Sequence, residues 1–330
     1  MRRTRAGRRS TFATPGNSAH EYYDKTKSRQ PVSTPIGGRG RDRSLRALYS
    51  QFAAHGIYLI LGRFHSYRKL YDVTRRMAEQ LTFRPAALKP YAAETSLFDG
   101  LPIADAVHRI KRRGLYEELS LPAETLQAIR RFSLLSPCKR WKLNDPADGH
   151  FLAGQVNNGR LPDGRLVAVA DVVSPRSCPA LIEVARDRNI LALFRRCKGY
   201  APRRVVVRLF WYFAVEASHP ANALLPNRGG LYHYDVPGPD SLYVFFYLTD
   251  TDRDSGAHAA VEGSHRCKAL SMLFGTRYRS DAEIHDHYGE ALETIIEGPA
   301  GLGFAEDPFC FHKFCHIRKN NRLMLQLQYY

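Results

Sequence analysis

Near residue 200 the hydrophobic period of this chain changes from helical to extended, and that change constrains the fold more than any other feature. Beyond it, residues 204–215, 242–248 and 322–329 are short runs rich in Val, Leu, Phe, Tyr and Trp, bounded by Gly, Pro and Asp clusters. Runs of this length and composition predict strands. Residues 166–173 predict an earlier one. Before residue 200 apolar residues recur at helical spacing instead. Ile103, Val107 and Ile110 share one face of a helix predicted over 104–113, with Gly114 as its stop. Leu126, Ile129 and Phe132 mark a second over 122–135, opened by Pro122. Residues 179–197 predict two short helices split near Asp187 and closed by Gly199. Residues 45–81 have a mostly helical pattern with an apolar patch at 57–61, and the stretch holding His285 and His287 predicts a solvated loop. Helices in front and antiparallel strands behind give an α+β, mainly β chain with a β-barrel or jelly-roll core.

With 330 residues, 44% of them hydrophobic, the chain can bury the core such a domain needs. The organisation expected is one domain over 44–330, its helical part about 44–200 and its jelly-roll core about 201–330. No apolar run approaches the ~18 residues of a membrane helix, so no membrane insertion is expected. Six cysteines include no Cys-x-x-Cys pair, and no apolar signal core follows the first arginines. A cytoplasmic protein is expected, although the Arg- and Ser-rich start also suits an organelle transit peptide.

The formal charge of +17 is uneven, with twelve Lys and Arg against three acids in residues 1–50. Residues 1–43 show no hydrophobic period and predict a disordered basic arm. A basic surface concentrates anions, whether nucleic acid or a small anionic substrate.

Chemistry concentrates in residues 229–250 and 306–330. His233 and Asp235 lie two apart, so on an extended backbone both side chains leave one face, where a single metal ion can accept an imidazole nitrogen and a carboxylate oxygen. A bare His-x-Asp needs a third ligand. His312 follows Asp235 by 77 residues, and His316 is its rival. Arg322 comes ten residues after His312 and opens the last strand, in which Arg322, Met324, Gln326 and Gln328 share a face and Leu323, Leu325, Leu327 and Tyr329 share the other. Two histidines and a carboxylate form the facial triad of non-heme Fe(II) oxygenases, which leaves three coordination positions open. A 2-oxo acid can fill two of these and dioxygen the third. An arginine fork then pairs with the far carboxylate of that acid.

These residues resemble the phytanoyl-CoA dioxygenase (PhyH) family of Fe(II)/2-oxoglutarate oxygenases. The resemblance rests on His233-Tyr234-Asp235, on the connecting stretch 249–266 with its Gly263-Ser264-His265 turn, and on Phe311-His312-Lys313 followed by Arg322. It runs from about residue 101 to the C-terminus. It implies a double-stranded β-helix (cupin-like) core decorated by N-terminal helices, with His233, Asp235 and His312 as iron ligands and Arg322 as the 2-oxoglutarate clamp. It further implies oxidative decarboxylation of 2-oxoglutarate to succinate and CO2, with Fe(2+) and O2, and hydroxylation of a small organic substrate. Asp235 favours hydroxylation over halogenation, because related halogenases carry a small residue in its place. Nothing basic follows Arg322, which weighs against the nucleic-acid demethylases of the superfamily.

Two other readings remain open in the sequence. One is a non-catalytic binding protein on the same barrel, with the basic arm touching nucleic acid. The other is a zinc-bound isomerase, which would keep the histidines but have no use for Arg322. His265 is expected to stabilise its turn or face the substrate rather than bind metal. Arg208, among aromatic residues, needs an anionic partner, whether the cosubstrate, the substrate or a structural acid, and Cys310 and Cys315 lack the partners of a zinc site.

Overall fold

A computed structural model describes residues 60–81, 87–92, 95–141, 149–226 and 230–330. The expected basic arm over 1–43 and the first part of the apolar patch at 57–61 lie outside the described residues.

Before residue 200 the described helices form where the spacing predicts them. Helix α1 spans His65–Leu81, α2 Ile103–Arg113 and α3 Ala123–Leu135. Ala106 and Ile110 bury one face of α2, while Lys111, Arg112 and Arg113 crowd its last turn, where cations suit the helix dipole. Gly114 ends it in the left-handed region at φ +86°. A side chain there would also collide with Cys310 Sγ and His265 Nδ1, 2.2 and 2.7 Å from an ideal Cβ, so only glycine fits. Helices α4 (Pro179–Ala185) and α5 (Arg188–Lys198) divide at Asp187, whose carboxylate accepts from the backbone N–H groups of Asn189 and Ile190 and caps α5. Two short helices follow later, α6 (Leu270–Phe274) and α7 (Asp281–Tyr288).

The strands form two antiparallel sheets. The larger is ordered β1-β8-β5-β10-β4-β3-β2 and the smaller β7-β6-β9. Their ranges are β1 Leu115–Ser120, β2 Cys138–Arg140, β3 Val169–Val172, β4 Val205–Tyr212, β5 Leu242–Tyr247, β6 His258–Val261, β7 Glu293–Ile296, β8 Leu302–Glu306, β9 His312–Phe314 and β10 Arg322–Tyr329. The core between the sheets holds Phe210, Tyr212, Phe245, Phe304 and Met324 from the larger and Ala260, Ile296 and Phe314 from the smaller. This is the expected jelly-roll architecture. The outer face of the larger sheet is buried as well: Leu323, Leu325, Leu327 and Tyr329 pack with Leu181, Leu193 and Phe194 of α4 and α5. Central strands covered on both faces explain why β5 is one continuous apolar run.

Three strands of the larger sheet come from before residue 200, where the pattern predicts helices and the single strand at 166–173. β1 escapes the apolar-run test because Glu117 and Glu118 interrupt it. It lies at the sheet edge, where charged side chains discourage further pairing, and Glu117 meets Arg109 and Arg113 at 2.9 Å. β2, with three residues, is too short to show a period. His285 and His287 are not in a loop: they lie on α7, which a Ser280–Glu283 capping box starts. No described helix is long and apolar enough to cross a membrane.

Candidate metal centre

The triad is assembled by the smaller sheet. His312 opens β9, and a single antiparallel bridge ties it to His233, each backbone N–H donating to the other's carbonyl at 2.9 and 2.7 Å. The bridge places the two imidazoles edge to face, 4.5 Å between centroids. Asp235 is fixed two residues on, its N–H donating to the Pro308 carbonyl at 2.8 Å. One ligand atom each from His233, Asp235 and His312 lies within 4.8 Å of the others, and this is the one such cluster among the described residues.

Each triad histidine has a backbone carbonyl beside its Nδ1. His233 Nδ1 sits 3.2 Å from the Leu231 carbonyl, and His312 Nδ1 sits 3.1 Å from that of Cys310. An imidazole donating through Nδ1 keeps its lone pair on Nε2, the arrangement that bound metals select. Burial, reinforced by the charge of His312 and opposed by Asp235, pushes His233 down to about 3, so it stays neutral. Burial acts the same way on His312, but the Glu306 carboxylate outweighs it and raises that imidazole.

Arg322 lies at the inner end of β10, paired with Tyr212 of β4, and is only 2% exposed. Its Nη1 donates to the Gly256 carbonyl, and the guanidinium stands 4.6 Å from the Tyr212 ring centroid and 5.8 Å from that of Phe314. Among the described residues its Nε has no partner, and no carboxylate comes within 4 Å of it. Burial lowers its proton affinity, partly offset by Tyr212 and Tyr247. An uncompensated buried charge costs several kcal/mol. The donor set fits Fe(II), and the lone buried guanidinium fits the far carboxylate of a 2-oxo acid.

Other expected residues fall to either side of this centre. His316 is half-buried and does not join the cluster. His265 is buried in its turn, with Nε2 3.3 Å from the Lys111 carbonyl and Nδ1 3.5 Å from Cys310 Sγ, and its backbone carbonyl accepts from Arg68. Arg208 finds the structural acid it requires: Nη2 donates to Asp171 at 2.9 Å and Nη1 to Gln326 Oε1 at 3.2 Å. Tyr278 stacks on His233 with centroids 5.9 Å apart, and Arg277 donates to the Tyr234 carbonyl.

Two residues beside the triad are absent from the sequence-derived set, Glu306 and His258. Each is a polar residue on the inward face of an otherwise apolar strand.

No protein-family model matches the chain, and no curated protein matches its sequence. Among solved structures it is similar to the non-heme alpha ketoglutarate dependent epimerase SnoN from nogalamycin biosynthesis, at 15% identity and a TM-score of 0.47, over 69% of this chain and 82% of that one. EctD from S. alaskensis is similar at 16% identity and a TM-score of 0.45, over 74% and 81%. The non-heme alpha ketoglutarate dependent carbocyclase SnoK, also from nogalamycin biosynthesis, is similar at 16% and 0.41, over 72% and 87%.

Proposed function

We propose that this protein is an Fe(II)- and 2-oxoglutarate-dependent dioxygenase of the PhyH type that hydroxylates a small, anionic organic substrate. The observation that carries the reading is the convergence of His233, Asp235 and His312 together with a buried arginine that meets no acid among the described residues. Either feature alone has a commoner explanation. A binding barrel or a zinc isomerase would gain nothing from keeping Arg322 charged in a closed site.

His233, Asp235 and His312 would hold Fe(II), and Arg322 would take the distal carboxylate of 2-oxoglutarate. Bound together, iron, cosubstrate and O2 supply the oxidising power that inserts one oxygen into a C–H bond as succinate and CO2 form. Tyr212, Tyr247 and Phe314 exclude water around Arg322, which strengthens its pairing with a carboxylate. Arg277, half-buried beside His233 with no carboxylate within 4 Å among the described residues, supplies positive charge to the substrate side. Tyr278 shields one face of His233.

The test is aerobic turnover of 2-oxoglutarate by the Fe(II)-loaded protein, followed as succinate. Slow succinate formation without substrate, abolished in Asp235→Ala, is expected. Equal rates in wild type and Asp235→Ala would overturn the reading.

A further inference from the structure

Glu306 closes β8 with a side chain that is 0% exposed. Its cross-strand neighbours are Leu115 and Tyr243, so an apolar residue would suit this position. Instead its Oε2 lies 2.9 Å from His258 Nε2 and its Oε1 3.2 Å from His312 Nδ1. Among the described residues neither oxygen has a well-aligned hydrogen-bond donor, and no Lys or Arg comes within 4 Å. Phe245 and Phe304 flank His258 at 5.5 and 4.8 Å and close off water. A carboxylate sealed this way is costly unless the charge it faces repays it. The groups it faces are two imidazoles, and one of them is the triad's His312.

We propose that Glu306 is a positioning residue for the metal centre, with His258 holding its second oxygen. The inference rests on the assignment of His312 as a ligand. The Cys310 carbonyl, 3.1 Å from His312 Nδ1, is an acceptor without charge. Glu306 adds a full negative charge beside the same nitrogen. It thereby stabilises the proton on Nδ1, leaves the lone pair on Nε2 and makes the imidazole a stronger donor. His258 keeps the carboxylate from turning away, and its ring lies nearly parallel to that of His312, 5.4 Å away.

The test compares wild type with Glu306→Gln, which keeps the shape and an acceptor but removes the charge, and with His258→Gln. Imidazole 15N NMR of the metal-free chain in mildly alkaline buffer should show wild-type His312 protonated on Nδ1, with both of its nitrogens shifted in Glu306→Gln. Co(II) titration by visible absorption should show binding weakened about 10–100-fold in Glu306→Gln and several-fold in His258→Gln. His312 protonated on Nε2 in the wild type would overturn the proposal, as would unchanged nitrogens and Co(II) affinity in both variants. If Glu306→Gln fails to fold, His258→Gln and the wild-type spectrum decide. Failure of the oxygenase reading has a different mark: wild type that binds Co(II) but then no 2-oxoglutarate, with the 15N comparison intact.

Discussion

On the proposed function, Arg322 and the triad divide the binding work, and single substitutions should separate them. Arg322→Ala should keep metal affinity and lose 2-oxoglutarate affinity at least tenfold, since a buried charge-assisted pair is worth more than about 1.5 kcal/mol. His312→Ala should lose the metal itself, while His316→Ala should match wild type in both; calorimetric titration with Mn(II) and then 2-oxoglutarate reads all three. Gly256 tests the seat of the clamp. At φ +86°, an added Cβ would come 2.4 Å from Ile317 Cγ1 and 3.3 Å from Arg322 Nη1. Gly256→Ala should destabilise the fold by about 1 kcal/mol or more in urea unfolding and weaken 2-oxoglutarate as well.

At the scale of elements, the turn carrying His265 couples α2 to the segment that leads into β9. Burial, only partly offset by Asp307, lowers His265 to about 4. Between about 4 and 6.5 the unfolded chain therefore binds a proton that the folded chain refuses, so stability falls as pH drops through that window. Urea midpoints measured from pH 7 to 4.5 should decline in wild type and decline less steeply in His265→Asn. Equal slopes would show that the turn does not hold a neutral imidazole. The elements also show what a sequence can and cannot reveal. β10, Arg322–Tyr329, coincides with its predicted run because side chains alternate across a strand buried on both faces. β1 was hidden by the two glutamates that suit it to a sheet edge. The shared face of His233 and Asp235 was legible from their spacing, and the described residues bring His312 to it. Glu306 and His258 were not legible, since their meaning lies in a contact between β6 and β8 that no local spacing encodes.

For the whole molecule, ligand binding should appear as stability. Anything that binds only the folded chain stabilises it by mass action, by about 2.7 kcal/mol at a hundredfold excess over Kd. Mn(II) should raise Tm in wild type and in Arg322→Ala, and 2-oxoglutarate should raise it further in wild type alone. The strongly basic balance of the chain, +17, favours anionic partners. Rising salt should therefore raise KM for an anionic substrate, while the clamp of Arg322, closed off by aromatic rings, should respond little.

The most direct measurement is anaerobic titration of the metal-free protein with Fe(II) and then 2-oxoglutarate, followed through the weak visible metal-to-ligand charge-transfer band. The band is predicted in wild type and in His316→Ala, and its loss in His312→Ala and Arg322→Ala. A folded wild type that binds Fe(II) yet gives no band with 2-oxoglutarate would contradict the assignment of this site as an oxygenase centre.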